Sequence, residues 1–175
     1  ESYRLGLELE AVVPVSNKLT LQPNLALSTN KNIETIRSFD GELENLGSTD
    51  IAFSPNIVAA NAFVFEPVKS LQLSLLSKYV GEQFMSNTEA RRSKLDSYFV
   101  NDLNIIYTIK PKSIFKTVVF TALVNNIFNE KYVSNGYYFS FDDDFSVPDV
   151  ITTQEGAGFY PQAEINFLAG LTLNF

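Results

Sequence analysis

Acidic side chains supply the most obvious chemistry in this sequence. Glu8 and Glu10 stand two residues apart, and the run 142–144 is Asp-Asp-Asp with Asp149 nearby. Paired carboxylates can act as general acid and base, and clustered carboxylate oxygens can hold Ca²⁺. Neither group stands in a recognisable catalytic frame, and the Asp run lacks the ligand spacing of a calcium loop. We therefore predict hydrated carboxylates and no metal site, with calcium at 142–149 as the second hypothesis.

Two chemically versatile residue types, Cys and His, do not occur among the 175 residues. Their absence excludes a disulfide framework, a thiol nucleophile, a zinc–thiolate site and an imidazole base on this chain. No G-x-S-x-G, P-loop or G-x-G-x-x-G pattern occurs, and the Gly-Ala-Gly at 156–158 is interpreted as a flexible loop. A net charge of −7 disfavours nucleic-acid binding, which needs a basic surface. We predict neither an enzyme, nor a cofactor, nor a nucleic-acid partner.

Two further clusters could bind ligands, and both lie in long segments rich in Gly or charge. The first is aromatic and could touch a ligand, although packing within the loop is the favoured interpretation. The second is cationic and, with Lys94, could clamp an anion such as a lipopolysaccharide phosphate, although a surface charge cluster is favoured. Their members are Tyr137, Tyr138, Phe139 and Phe141 in the first cluster, and Arg91 and Arg92 in the second.

Alternation with a period of two dominates the chain and predicts an all-β fold. The strongest segment is 162–175, where one parity is entirely apolar and the other mostly polar. In the stretch 56–65 the parity is ambiguous, because Asn61 shares a face with Phe63 and Phe65. We predict seven strands of about 9–14 residues, covering 3–11, 19–28, 56–65, 71–79, 102–110, 117–125 and 162–175.

The predicted connections alternate between short and long. The segments 14–18, 66–70 and 110–114 are short and each contains a Pro, whereas 31–55, 80–97 and 127–161 are long. Pro with nearby Asn or Ser is typical of tight turns, and long structureless loops are unusual in compact soluble domains. In an up-and-down sheet this alternation places all three long loops at one end.

Long strands with one apolar face, tight turns and long loops are typical of a transmembrane antiparallel β-barrel. We expect the apolar face to contact lipid, with aromatic residues near the strand ends. The opposite face would line the lumen, where packing is favoured over ligand contact, through Glu8, Glu10, Gln22, Asn24, Asn104, Glu164 and Asn166. Seven strands would bring the first and last together in parallel, which ordinary bacterial barrels avoid, so we expect part of a larger barrel.

Three motifs resemble those of TonB-dependent outer-membrane receptors. The segment 123–132, Leu-Val-Asn-Asn-Ile-Phe-Asn-Glu-Lys-Tyr, resembles their V-x-N-L-F-N-K-x-Y signature. The segment 78–84 resembles their Y-V-G-x-x-Y element, and 94–100 resembles the L-D-x-Y-x-V that opens the next strand. Ser54-Pro55 and Tyr160-Pro161 before strands, and Phe175 at the end, complete a set whose order fits the C-terminal part of such a receptor.

The resemblance implies a barrel of about 22 strands with an N-terminal plug, in the bacterial outer membrane. Residues 1–175 would be the C-terminal portion of that barrel, with the plug and the N-terminal strands absent from this sequence. A chain that opens at Glu1 without a basic and apolar leader also fits a processed product or a piece of a longer protein.

Active uptake of a scarce nutrient is the function that the resemblance implies. The cargo would be an iron–siderophore complex, haem, cobalamin or a glycan, and uptake would be energised through an inner-membrane coupling protein. The other implied partners are the bilayer and lipopolysaccharide, the plug and remaining strands, the barrel-assembly machinery and a surface lipoprotein. The assembly signal would comprise Phe167, Leu171, Leu173 and Phe175.

Two other functions stay open on the sequence. A passive outer-membrane porin or channel would share the architecture and differ in transport class. A soluble β-sandwich acting as a binding or adhesin module would also show alternating strands, but its strands should be shorter and its loops should not sort by length.

Overall fold

The fold is an antiparallel sheet in which seven strands lie side by side, in an order that follows the chain. The structure, a computed structural model, describes residues 1–111 and 114–175. Among these residues no helix is long and apolar enough to cross a membrane. The seven strands are β1 Ser2–Glu10, β3 Leu19–Phe39, β5 Ile57–Val68, β6 Leu71–Val80, β9 Tyr98–Ile109, β10 Thr117–Asn125 and β13 Asn166–Asn174.

The sequence prediction of seven antiparallel strands is confirmed, with three corrections to their extent. β3 continues to Phe39, far beyond the predicted end at Ser28. β9 begins at Tyr98, four residues earlier than predicted. The last strand begins at Asn166 and not at Gln162, because side chains of the 126–129 turn hold the backbone at 163 and 165 away from the ladder.

Regular structure also fills the three long connections, which were predicted as loops. β3 returns as β4 through a turn at Asp40 and Gly41, both with positive φ. The segment after β6 contains the short pair β7–β8 and one 3₁₀ turn, and the segment after β10 is largely the hairpin β11–β12. The bounds are β4 Glu42–Asp50, β7 Gln83–Phe84, the 3₁₀ turn Arg91–Ser93, β8 Lys94–Leu95, β11 Val133–Asp143 and β12 Thr152–Pro161.

Tight turns join the strands at the opposite end. β2, Val13–Ser16, pairs with β3 and leaves only Asn17 and Lys18 between them. Only Lys69 and Ser70 separate β5 from β6. The turn predicted at 110–114 includes Lys112 and Ser113, which lie outside the described residues.

The strand register sorts the side chains into two continuous faces. Leu7 lies opposite Leu27, which lies opposite Ile57, and the same apolar parity continues through every neighbouring pair to β13. This register settles the parity of β5, whose Phe63 and Phe65 lie on the apolar face. We call this the apolar face; it consists of alternate residues within 5–9, 19–27, 57–65, 71–79, 99–109, 118–124 and 167–173.

No charged residue occurs at these positions, and the polar interruptions are neutral. Asn61, Ser77 and Asn101 form one row across β5, β6 and β9, in which Ser77 Oγ bonds Asn101 Oδ1 at 2.6 Å. The opposite face, which we call the polar face, carries most of the charged and amide side chains of the strands. The sequence-based assignment of apolar and polar parities to the strands is therefore confirmed.

The buried apolar residues lie at the loop end and not along the apolar face. Among the described residues they are few: Val80, Met85, Ala90, Leu95 and Val100. The leucines and phenylalanines on the apolar face are half-buried or exposed, up to 81% exposed at Phe167. In the described part of the chain β1 and β13 each pair on one side only, so the sheet is open.

Candidate functional site: the loop end and the two sheet faces

The three long segments pack against one another at one end of the sheet, as predicted. Arg92 Nη1 in the second segment donates to the Glu155 carbonyl in the third at 3.2 Å. The Ala52 N–H in the first donates to Asn87 Oδ1 in the second at 2.8 Å. These contacts join segments far apart in the chain into one cluster, which we call the loop cluster (residues 31–55, 80–97 and 127–161).

A set of reciprocal hydrogen bonds joins the tips of the β3–β4 and β11–β12 hairpins. The Asp40 N–H donates to Thr153 Oγ1 at 2.7 Å, and the Thr153 N–H donates to Asp40 Oδ1 at 2.8 Å. Asp142 accepts from Ser38 Oγ and, at 2.6 Å, from Thr153 Oγ1. These bonds, which we call the hairpin clasp, lower the pKa of Asp142, with Ser38 the largest cause.

The rest of the acidic run stabilises its own turn. Asp143 Oδ1 accepts the N–H groups of Phe145 and Ser146 at 3.2 and 3.0 Å, and the hydrogen bond from Ser146 is the main cause that lowers the pKa of Asp143. Within residues 1–111 and 114–175, no group of three or more acidic, His or Cys side chains is placed to hold a metal ion.

Four aromatic rings line one face of the β11–β12 hairpin. Tyr137, Phe139 and Phe141 alternate along β11, and Tyr160 joins them from β12. Neighbouring centroids lie 6.2 Å apart for Tyr137–Tyr160, 6.5 Å for Tyr137–Phe139 and 6.4 Å for Phe139–Phe141. Each ring is about half exposed. We call these four residues the aromatic strip.

Two glycines form the floor beneath the strip. Phe139 lies opposite Gly156 and Tyr137 lies opposite Gly158. A Cβ added at either glycine would lie 2.4 Å from the facing ring, so the rings rest directly on the β12 backbone. The interpretation of 156–158 as a flexible loop is wrong, since these residues belong to β12. Sequence reasoning also missed Tyr160 as a member of the strip; the pairing of alternate aromatics with alternate glycines is the signal that could have found it.

The predicted aromatic cluster divides between the two faces of the hairpin. Tyr138 points to the opposite face from its neighbours, where its hydroxyl donates to Glu155 Oε1 at 2.8 Å. Burial is the largest cause that raises the pKa of Tyr138, and the hydrogen bond to Glu155 is the next. Tyr138 therefore anchors the hairpin, whereas Tyr137, Phe139 and Phe141 remain exposed.

The residues of the predicted cationic cluster contact different partners. Lys94 Nζ lies 2.7 Å from Glu82 Oε2, an ion pair that raises the pKa of Lys94. Arg92 is held by the Glu155 carbonyl, and Arg91 is exposed. The use of these residues as an anion clamp stays a prediction, with Arg91 as the cation least engaged by its surroundings.

The predicted lumen-facing residues lie on the polar face, with one exception. Glu8 and Glu10 of β1, Gln22 and Asn24 of β3, and Asn104 of β9 all have polar-face parity. Asn166 shares that face, where its Oδ1 accepts from Asn125 at 2.8 Å. Glu164 instead precedes β13 and lies 3.4 Å from Lys131 Nζ.

The polar face contains a hollow of about 600 Å³ below the β4–β5 connection. Arg4, Glu8 and the buried Asn30 line it. Asn30 Nδ2 donates to Ser28 Oγ at 2.9 Å, and Ser28 Oγ donates to the Pro55 carbonyl at 3.2 Å. The hollow thus presents a guanidinium and fixed hydrogen-bonding groups to whatever occupies this side of the sheet.

The motif at 123–132 forms a turn built around Asn126, which is 3% exposed. Asn126 Oδ1 accepts the Glu130 N–H at 2.8 Å, and its Nδ2 donates to the carbonyls of Glu130 and Ala163. Its own N–H donates to Asp102 Oδ1 on β9 at 2.7 Å. Asn126 therefore links the ends of β9 and β10 to the segment that leads into β13, and its positive φ suits Asn.

The proposed assembly signal lies on and beside the apolar face of the last strand. Phe167, Leu171 and Leu173 are exposed on that face. The Phe175 ring lies 5.0 Å from that of Phe115, across the β10–β13 pair. Sequence alternation was sufficient to place these residues on one side, although their role in assembly stays a prediction.

Comparison with known proteins supports the fold at low sequence identity. No family model and no curated protein matches the chain. The crystal structure of the siderophore receptor PiuA from Acinetobacter baumannii is similar to it, with a TM-score of 0.60 and 14% identity over 98% of this chain. The match spans only 22% of the receptor's length.

The chain has the fold of part of a TonB-dependent receptor barrel, and its open antiparallel sheet is consistent with such a part. The predicted fold class is therefore confirmed.

Proposed function

We propose that this chain forms part of the wall of a bacterial outer-membrane barrel and that the complete barrel is an active nutrient-uptake receptor. The observation that carries the proposal is the uncharged apolar face, which runs across all seven strands and on which no Leu or Phe is buried. Large exposed apolar surfaces are rare on soluble proteins, whereas a barrel presents this surface to lipid.

Strand length and backbone pairing support the same environment. A tilted strand needs about 9–11 residues to cross the hydrocarbon core. Four of the seven strands have 9 or 10 residues, and two have 12. In hydrocarbon every backbone N–H and C=O needs a partner within the protein. The open edges of β1 and β13 therefore require further strands, for which the N-terminal part of the same polypeptide is our proposed source.

A soluble β-sandwich is less well supported. In a sandwich the apolar faces of two sheets pack on each other, but in the described residues the small β7–β8 and β11–β12 sheets lie with the loop cluster at one end. The leucines of β1 are more than half exposed. We would return to the sandwich hypothesis only if the protein proved soluble without detergent.

The polar face fits a lumen occupied by a plug. Arg4 and Glu8 in its hollow, with the buried Asn30, offer charge and hydrogen bonds to a domain filling the barrel. The loop cluster fits ligand capture, because its segments converge at one end of the wall. Energy coupling would act through a plug and an N-terminal contact motif outside this sequence, with lipopolysaccharide, the assembly machinery and a surface lipoprotein as additional proposed partners.

The test compares nutrient uptake by cells that carry the gene with uptake by cells that lack it. Cells with the gene should accumulate the labelled nutrient, and a protonophore should abolish accumulation, because outer-membrane uptake of this class is energised from the inner membrane. Uptake that is unaffected by the protonophore would favour the passive porin. Recovery of the protein in the soluble fraction without detergent would contradict the membrane wall itself.

A further inference from the structure

We propose that the aromatic strip binds a neutral, polyhydroxylated ligand with ring-shaped units, such as an oligosaccharide, and not an anionic iron chelate. This inference rests on the proposed function, because it names the ligand class of the same receptor. It follows from the geometry of the rings, from the charge of the hairpin and from the polar groups beside the rings.

The rings form an exposed aromatic surface in which three of the four planes are nearly parallel. The plane of Phe139 lies at 14° to that of Tyr137 and at 17° to that of Phe141, whereas Tyr160 is tilted by 49° to Tyr137. The two glycines let Tyr137 and Phe139 approach the β12 backbone closely. The face of an aromatic ring carries partial negative charge. The C–H groups of a saccharide ring carry partial positive charge and a flat apolar side, so they complement such a surface.

The negative charge of the hairpin disfavours an anionic iron chelate. Residues 133–161 contain five acidic side chains and no Lys or Arg. Arg92 donates to the carbonyl of Glu155, whose side chain lies on the opposite face from the strip. Arg37 acts electrostatically on Tyr138, which also lies on that opposite face. A ferric chelate with net negative charge would be repelled by this field and would find no cation on the strip.

A cationic ligand is also poorly served. The carboxylate with strip-face parity, Asp143, is 8% exposed and already accepts the backbone N–H groups of its own turn. The other groups beside the rings are neutral: the hydroxyls of Tyr137 and Tyr160 and the amides of Asn135 and Gln154, which share the strip face. Hydroxyls and amides are both donors and acceptors, which suits sugar hydroxyls.

The strip could also serve only to stabilise the hairpin by covering its glycines. Packing alone predicts that substitutions weaken the hairpin and change no ligand affinity. Packing and ligand binding can be distinguished by measuring the affinity of variants in which an aromatic residue is replaced by an aliphatic one.

The test measures binding to the complete receptor in detergent by calorimetry. The probes are maltohexaose, xylohexaose and mannohexaose, with ferric enterobactin as the anionic comparison. We expect at least one oligosaccharide to bind and ferric enterobactin not to bind. Phe139→Leu and Tyr137→Leu should each weaken that binding about tenfold, because leucine keeps apolar contact without an aromatic face.

Phe145→Leu is the matched control, since Phe145 is 76% exposed in the same hairpin and lies outside the strip. Its affinity should equal that of the unmodified receptor. Failure of all three oligosaccharides to bind overturns the inference, and so does oligosaccharide binding that Phe139→Leu leaves unchanged. Protonophore-sensitive uptake of a ferric chelate would overturn it while leaving the uptake function intact.

Discussion

Leu171 on the last strand gives a direct test of which face meets lipid. It is the sixth of the nine residues of β13, close to the middle of the span, and is 57% exposed beside Phe120 on the apolar face. Arg at the bilayer midplane costs about 2–4 kcal/mol. We therefore expect Leu171→Arg to reduce the folding equilibrium constant in lipid by about a hundredfold, since 1.4 kcal/mol corresponds to a factor of about ten.

Thr172→Arg is the matched control for this substitution. Thr172 is the next residue on the same strand and has the opposite parity, facing Val119 on the polar face. An Arg there would meet water or the plug, so we expect folding within about 0.5 kcal/mol of the unmodified protein. The two variants add the same side chain to the same strand and differ only in the face that carries it.

The assay is urea-dependent folding of the complete barrel into lipid vesicles, with the heat-dependent shift in gel mobility as a second measurement. The expected order of stability is unmodified protein, then Thr172→Arg, with Leu171→Arg far below both. Equal losses would show that both faces are in a similar environment. A larger loss for Thr172→Arg would show that the faces are reversed. Either result would refute the assignment of the apolar face to lipid.

Two further predictions concern the loop end. Asn126→Ala removes three side-chain hydrogen bonds from a buried residue with positive φ, so it should lower the free energy of unfolding in urea by about 3 kcal/mol. The control Asn125→Ala loses one side-chain hydrogen bond and should lower it less. Equal losses would contradict the central role of Asn126. The hairpin clasp should depend on pH, because the folded pKa of Asp142 lies below its ordinary value of 3.8. The stability that ionised Asp142 contributes is present above that value and is lost as the pH falls through the folded pKa. The distance between spin labels at the exposed Leu43 and Phe145 should then lengthen in acid, and Asp142→Ala should lengthen it at neutral pH; a distance insensitive to both would argue against the clasp.

Most of the strand framework could be predicted because alternation is a local property. Leu5, Leu7 and Leu9 identify their face without any knowledge of their neighbours. The stretch around Asn61 could not be assigned in this way, because one polar residue on an apolar parity makes the two faces equally plausible. Its pairing with Pro23 and Ser77 decided the face, and that information is carried by residues far away in the chain.

The loop end was the least predictable part because its order depends on contacts between segments. The β3–β4 and β11–β12 hairpins contain Asp, Gly and polar residues that locally favour turns. They gain strand structure from pairing and from bonds such as that of Asp40 with Thr153, which are 113 positions apart. The aromatic cluster was recognised by composition, but its division into an exposed strip and a half-buried Tyr138 depends on the parity of β11.

The sequence by itself determined that this protein contains seven long strands with one uncharged apolar face, because side-chain alternation needs only the local geometry of a strand. It also predicted that the long connections gather at one end, since short and long connections alternate along the chain. Only the tertiary structure decided where the last strand begins, which rings share a surface and how the long segments join. Those features depend on hydrogen bonds and packing between residues distant in sequence, and no local pattern specifies them.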